Sequence, residues 1–218
     1  MKLRHTPVSI SSNGAWLDGV LAHAPDVRGL ALCIHSLGHP SPDAPPRPLE
    51  LALQAAGFAT MTVDLLTRQE AMRDADASYN IPRLTDRILS AVEWAAHQPP
   101  LVGLPFGLVA SGTGCAAAVR AAVRAPDAFI AIACLDGRAD LAGAEPLRAV
   151  RTPVRLIIRP GSAEANILET AYPLMRGAHH WLALPPARDA HEQELFAARA
   201  AATWLRQHLP PEEGAAPD

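Results

Sequence analysis

The chain has 218 residues, 49% of them apolar and 19% charged, with 19 basic against 22 acidic side chains and a formal charge of −3. At roughly 100–200 residues per domain, this predicts one well-filled core and excludes a disordered chain. The mildly acidic balance offers no basic face, which excludes nucleic acid and anionic membrane as expected partners.

In chain order, Met1 to Pro7 is not followed by the apolar run of a signal peptide, and no stretch of 18 apolar residues occurs. A cytoplasmic protein is expected. Val8 to Ile10 and Ala15 to Leu21, joined at Asn13-Gly14, read as an antiparallel hairpin. Gly29 to His35 is apolar on both faces, as a central parallel strand must be. Further strands are predicted over Ala59 to Asp64, Phe106 to Ser111, Phe129 to Leu135, Val154 to Arg159 and Trp181 to Leu184.

Helix patterns lie between them: Leu49 to Ala56, Ile81 to His97, Gly114 to Arg124, Ala165 to Arg176 and His191 to His208. In the second, Ile81, Leu84, Ile88, Val92 and Ala95 form one apolar stripe, with Asn80 as N-cap and Pro82 in the first turn. His39 to Pro48, with five prolines, and Arg68 to Tyr79, charged and without period, read as loops. Residues 1–209 are read as one domain and 210–218 as a flexible tail. Strands alternating with helices predict a mostly parallel sheet covered on both faces. The three cysteines, Cys33, Cys115 and Cys134, cannot pair completely and read as buried thiols.

Three strings resemble the α/β-hydrolase superfamily, in particular its dienelactone-hydrolase-like branch. They are the strand ending His35-Ser36-Leu37-Gly38, the run from Ala55-Ala56-Gly57 through Val63-Asp64-Leu65, and Gly103-Leu104-Pro105 through Gly114. The resemblance spans about Val8 to Leu209. It implies an α/β-hydrolase fold with a mostly parallel central sheet of about eight strands, helices on both faces and no lid. It also implies ester or lactone hydrolysis by a nucleophile on a sharp strand-to-helix elbow, assisted by an acid and a histidine.

The residues at those three positions depart from the pattern. Gly112 stands at the nucleophile position and has no atom with which to attack a carbonyl. Ser162 stands at the acid position, with Glu164 two residues on as a substitute. Asp189 stands at the histidine position, and His191 follows two residues later, either as a base on a shifted loop or as an exposed start of the last helix.

A relocated nucleophile has three candidates. Ser111 precedes the elbow, Thr113 reads as a helix cap, and Cys115 lies near a helix N-terminus, where a thiol pKa falls. The readings in competition are therefore a triad-less homologue that binds a small ester, lactone or carboxylate or acts as a scaffold, and an active hydrolase using Cys115 or Ser111 with His191 and Glu164. In the first, His35, Ser36, Leu37 and the Thr113 backbone form an anion-binding pocket. No cofactor is expected, and no metal, since His179-His180 has no partner by spacing. Asp64, Asp136 and Asp140, at or just beyond strand ends, read as caps or turn formers. A homodimer or a protein partner stays open.

Overall fold

The computed structural model describes residues 3–35, of His35 the backbone alone, and residues 45–211. Eight strands form one sheet in the order β1-β2-β4-β3-β5-β6-β7-β8. A nine-residue hairpin pair, β1 (Arg4–Ser12) and β2 (Ala15–His23), starts it. Asn13 and Gly14 turn between them with φ of 51° and 74°, as the Asn-Gly signal requires. β2 runs antiparallel to β4 (Phe58–Asp64). From there β3 (Gly29–His35), β5 (Phe106–Ser111), β6 (Ala131–Leu135), β7 (Val154–Ile158) and β8 (His179–Ala183) are all parallel. β1 and β8 are the edges, and Pro7 sits one residue before the midpoint of β1, opposite Val20.

Every residue of β4 is buried, which is why its sequence is apolar or threonine up to Asp64 at its C-terminal end. Helices cover the two faces. One core packs β-strand residues such as Leu32, Met61 and Leu108 against α3 (Ile81–Ala96) and α4 (Gly114–Arg124). The other packs Ala31, Cys33 and Val109 against α1 (Pro48–Ala55) and α7 (Ala190–Gln207). Gly107 is required on that second face, since a Cβ there would lie 3.0 Å or less from Leu205 of α7.

The predicted loop from Arg68 to Tyr79 is instead partly helical, comprising α2 (Arg68–Arg73) and a 3₁₀ turn over Ala77–Tyr79. The absence of an apolar stripe misled the reading, because this helix buries no residue and is held by its cap. Thr67 and Glu70 form a reciprocal capping box, at 3.0 Å from the Thr67 N–H to Oε2 and 3.2 Å from the Glu70 N–H to Oγ1. Two shorter helices complete the chain, α5 (Ala144–Ala149) and α6 (Ala163–Ala171). α6 gives way to a 3₁₀ turn at Tyr172–Leu174, earlier than the predicted end at Arg176, where Pro173 withholds a backbone donor.

Among the described residues no helix is long and apolar enough to cross a membrane. No cluster of three metal-ligating side chains is found among them either. The three cysteines are buried and free, as read from the sequence.

Candidate active-site crevice

β5 ends at Ser111, the chain turns at Gly112 with φ of 54°, and α4 begins at Gly114. The sharp elbow of the hydrolase pattern is therefore built, with a glycine at its apex. The close fit around it explains the neighbouring small residues. A Cβ on Gly114 would lie 3.3 Å from Ile34 Cγ2. The turn after β6 folds over the elbow: the Arg138 N–H donates to the Gly112 carbonyl at 2.9 Å. A Cβ on Gly137 would collide with Cys115 Sγ and lie 2.7 and 2.8 Å from the Gly112 O and N atoms. Two glycines thus meet face to face above the strand end.

Because φ at Gly112 lies in the left-handed region, Gly112→Ala is expected to destabilise the chain by about 1–2 kcal/mol. A urea unfolding midpoint that stays unchanged or rises would contradict the elbow conformation.

Thr113 occupies the N-cap position of α4 but does not cap it through its hydroxyl. Its own backbone is helical, at φ −69° and ψ −18°, whereas a capping residue is extended. The predicted capping role is corrected on this ground. The side chain is buried and its Oγ1 has no hydrogen-bond partner among the described residues.

Cys115 is fully buried, and its thiol donates to the Ala110 carbonyl at 3.3 Å. Burial pushes its pKa well up, with Cys134 adding to the rise, so the helix N-terminus does not produce a thiolate. The expectation of a lowered pKa is corrected: desolvation outweighs the helix dipole. Ser111, half-buried, lies opposite Leu135 in the sheet register.

At the acid position, Ser162 caps α6, accepting from the Ala165 N–H at 3.2 Å. Its hydroxyl also donates to Asp136 Oδ1 at 3.1 Å. A carboxylate is therefore present beside the acid position, supplied from the end of β6 rather than β7. Asp136 is one of two non-glycine residues with positive φ among those described, at 43°, and Arg159 is ion-paired to it. The sequence marked Asp136 as a turn former at a strand end; its partnership with Ser162 was the missed part. Glu164 contributes negative potential at Arg138, which raises the Arg138 pKa together with its main partner Asp140.

At the histidine position, Asp189 caps α7, accepting from the Glu192 N–H at 2.8 Å. His191 is exposed in the first turn of α7 and lines a trough between α1 and α7. Cys115 is buried in the core under α3 and α4, whereas α7, which carries His191, packs in the core on the other face of the sheet, so Cys115 and His191 are not brought together. Ser36 and Leu37, read as part of an anion-binding turn, lie outside the described residues. His35 ends β3 opposite Asp64, and its side chain lies outside the description as well.

The C-terminal ends of β6 and β7, the segment after β8 and the start of α7 line an open cavity of about 200 Å³, whose wall includes Asp136, the residue before the Gly137 that faces Gly112. Open α/β sheets hold their ligands at these strand ends. Leu135, Ile157, Leu184 and Ala197 give it an apolar floor, and Asp136, Arg159, Gln193 and Glu194 give it polar walls. Gln193 Nε2 is buried there without a hydrogen-bond partner, an amide donor in want of an acceptor.

No family model matches the chain. Two provisionally named phosphoribosyl transferases of Mycobacterium tuberculosis, from strains CDC 1551 and H37Rv, are each 30% identical to it over 213 residues. That match takes in 95% of this chain and 47% of theirs, so the chain spans about half the length of the curated relatives it matches. Among solved structures, a dienelactone hydrolase from Anabaena variabilis superposes with a TM-score of 0.80 at 28% identity, covering 95% of this chain and 97% of that one. Est1E from Butyrivibrio proteoclasticus superposes at 0.72 with 12% identity, covering 93% and 98%. The esterase domain of a Rhodothermus marinus protein superposes at 0.69 with 15% identity, covering 95% and 100%. With its mostly parallel sheet, its left-handed elbow after β5 and these neighbours, the chain belongs to the α/β-hydrolase superfamily and is dienelactone-hydrolase-like.

Proposed function

We propose that this protein is a hydrolase homologue without a catalytic triad, and that it binds a small ester, lactone or carboxylate in the crevice beside Gly112. The observation that carries the reading is the elbow itself: the strand-to-helix turn with positive φ is retained, while the residue at its apex has no side chain. The other two positions support it, since Ser162 and Asp189 are engaged as helix caps. The unpartnered Gln193 amide favours a ligand with a carbonyl or carboxylate acceptor. The Thr113 N–H at the start of α4 and the helix dipole behind it favour the same chemistry.

The transferase name of the mycobacterial relatives describes proteins of which this chain matches 47%. A module that works beside a second activity is consistent with that partial match.

The test is hydrolysis of p-nitrophenyl acetate and of a small lactone by the purified protein. The expected result is the buffer rate, unchanged in Cys115→Ala and Ser111→Ala. A turnover of about 1 per second or more that either substitution abolishes would establish the relocated hydrolase instead.

A further inference from the structure

A larger cavity, about 1000 Å³, lies away from the elbow in the trough where α1 and α7 pack side by side. Its floor is apolar: Leu51, Ala52 and Ala55 from α1, with Leu195, Ala198 and Ala202 from α7. Alanines at these positions leave an open channel between the helices, and Leu51 stands in its wall 52% exposed. The titratable groups along it are His191, Arg199 and Arg206; among the described residues no carboxylate lines it, in a chain whose net charge is −3. Neither arginine forms an ion pair within the described residues. Basic groups of one sign along an apolar channel complement an anion that carries an apolar chain.

We propose that this trough binds one molecule of an anionic amphiphile, a carboxylate on an unbranched alkyl chain. From Leu195 to Arg206, α7 advances by about 16 Å, close to the length of an extended chain of about twelve carbons. The guanidinium groups of Arg199 and Arg206 present planar donor forks that match a carboxylate. The alkyl chain lies along the alanine floor and covers Leu51. His191, which the crevice leaves unused, closes one end. This site is separate from the crevice and does not depend on the reading given for it.

The test is calorimetric titration of the full chain with sodium dodecanoate below its micelle-forming concentration. Parallel titrations use dodecyltrimethylammonium bromide and phosphatidylglycerol vesicles. Dodecanoate is expected to saturate at one equivalent with a Kd of about 100 µM or tighter, the range open to a ligand of this size. The cationic amphiphile is expected to bind at least about tenfold more weakly, as is dodecanoate to R199Q/R206Q. Ala55→Trp, which fills the channel, should abolish binding. All three substituted side chains are exposed, so the variants keep the wild-type thermal midpoint.

Four results overturn the proposal: no saturation, equal affinity for both charges, binding that survives Ala55→Trp, or binding to vesicles without binding of the free carboxylate. Sedimentation showing a dimer that Ala55→Trp dissociates and dodecanoate does not would assign the trough to a second copy of the chain, and also overturns it.

Discussion

Glu70→Ala is expected to destabilise the protein by about 3–5 kcal/mol, because it strands a buried cation. Arg87 on α3 is 1% exposed and donates to Glu70 through two nitrogens, at 2.8 and 2.6 Å. Its Nη1 also donates to the Leu65 carbonyl at 2.6 Å. Glu70 in turn accepts from the Thr67 N–H, so a single carboxylate fastens the segment after β4 to α3 and caps α2. Removing it leaves the guanidinium buried with a single carbonyl for company.

The same pair sets a pH dependence. Hydrogen bonds from Arg87 hold the Glu70 carboxyl at about 2, below its ordinary 4.5. A depressed carboxyl pKa stabilises the fold fully above the ordinary value, and that stabilisation is lost as pH falls from about 4.5 towards about 2. Urea midpoints measured between pH 7 and pH 3 should therefore decline at the acid end for the wild type, and the Glu70-specific part of that decline should vanish in Glu70→Gln. A Glu70→Ala midpoint within experimental error of wild type at pH 7 would show that Arg87 finds another partner.

Trp204→Ala is expected to be as damaging, at about 3–5 kcal/mol. Trp204 is the buried anchor of α7, with its indole N–H donating to the Ile132 carbonyl on β6 at 2.9 Å. The Arg155 guanidinium lies 4.2 Å over its ring, and His208 meets it edge-on at 4.2 Å between centroids. Truncation opens a cavity against the sheet and removes both the indole hydrogen bond to the Ile132 carbonyl and the cation–π contact. Trp204→Phe retains most of the apolar volume and should cost about 0.5–1.5 kcal/mol, the net worth of one hydrogen bond. The check is chemical denaturation followed by far-UV circular dichroism. A loss below 1 kcal/mol for Trp204→Ala would mean that α7 is held by its alanines.

The strands were legible in the sequence because a parallel sheet buried on both faces writes itself as apolar runs. Gly29 to His35 and Phe106 to Ser111 were read to the residue. The Asn13-Gly14 turn announced the hairpin, whose strands proved longer; most of the added residues of β1 are polar and carry no apolar signal. α2 escaped notice because it has no apolar stripe: its only local signal is the Thr67-Arg68-Gln69-Glu70 capping box, and the Arg87 guanidinium that holds Glu70 comes from 17 residues away.

The candidate site divides in the same way. Gly112, Ser162 and Asp189 could be placed from local strings, since an elbow and a strand end have local signatures. The link from Ser162 to Asp136 joins neighbouring strands 26 residues apart, and only the sheet brings them together. The burial of the cysteines was read from their apolar surroundings, whereas the choice between the two readings of His191 depended on which way α7 faces, a property set by packing.

The sheet ends on one side in β1, a nine-residue strand with one long flank unpaired among the described residues. Such an edge is a template for another chain, and repeated pairing along it is the first step towards fibres. Pro7, one residue before its midpoint, has no N–H to offer, so a strand arriving there meets an interrupted ladder of two short stretches. One imino acid thus guards the longest open flank of the protein against growth by strand addition.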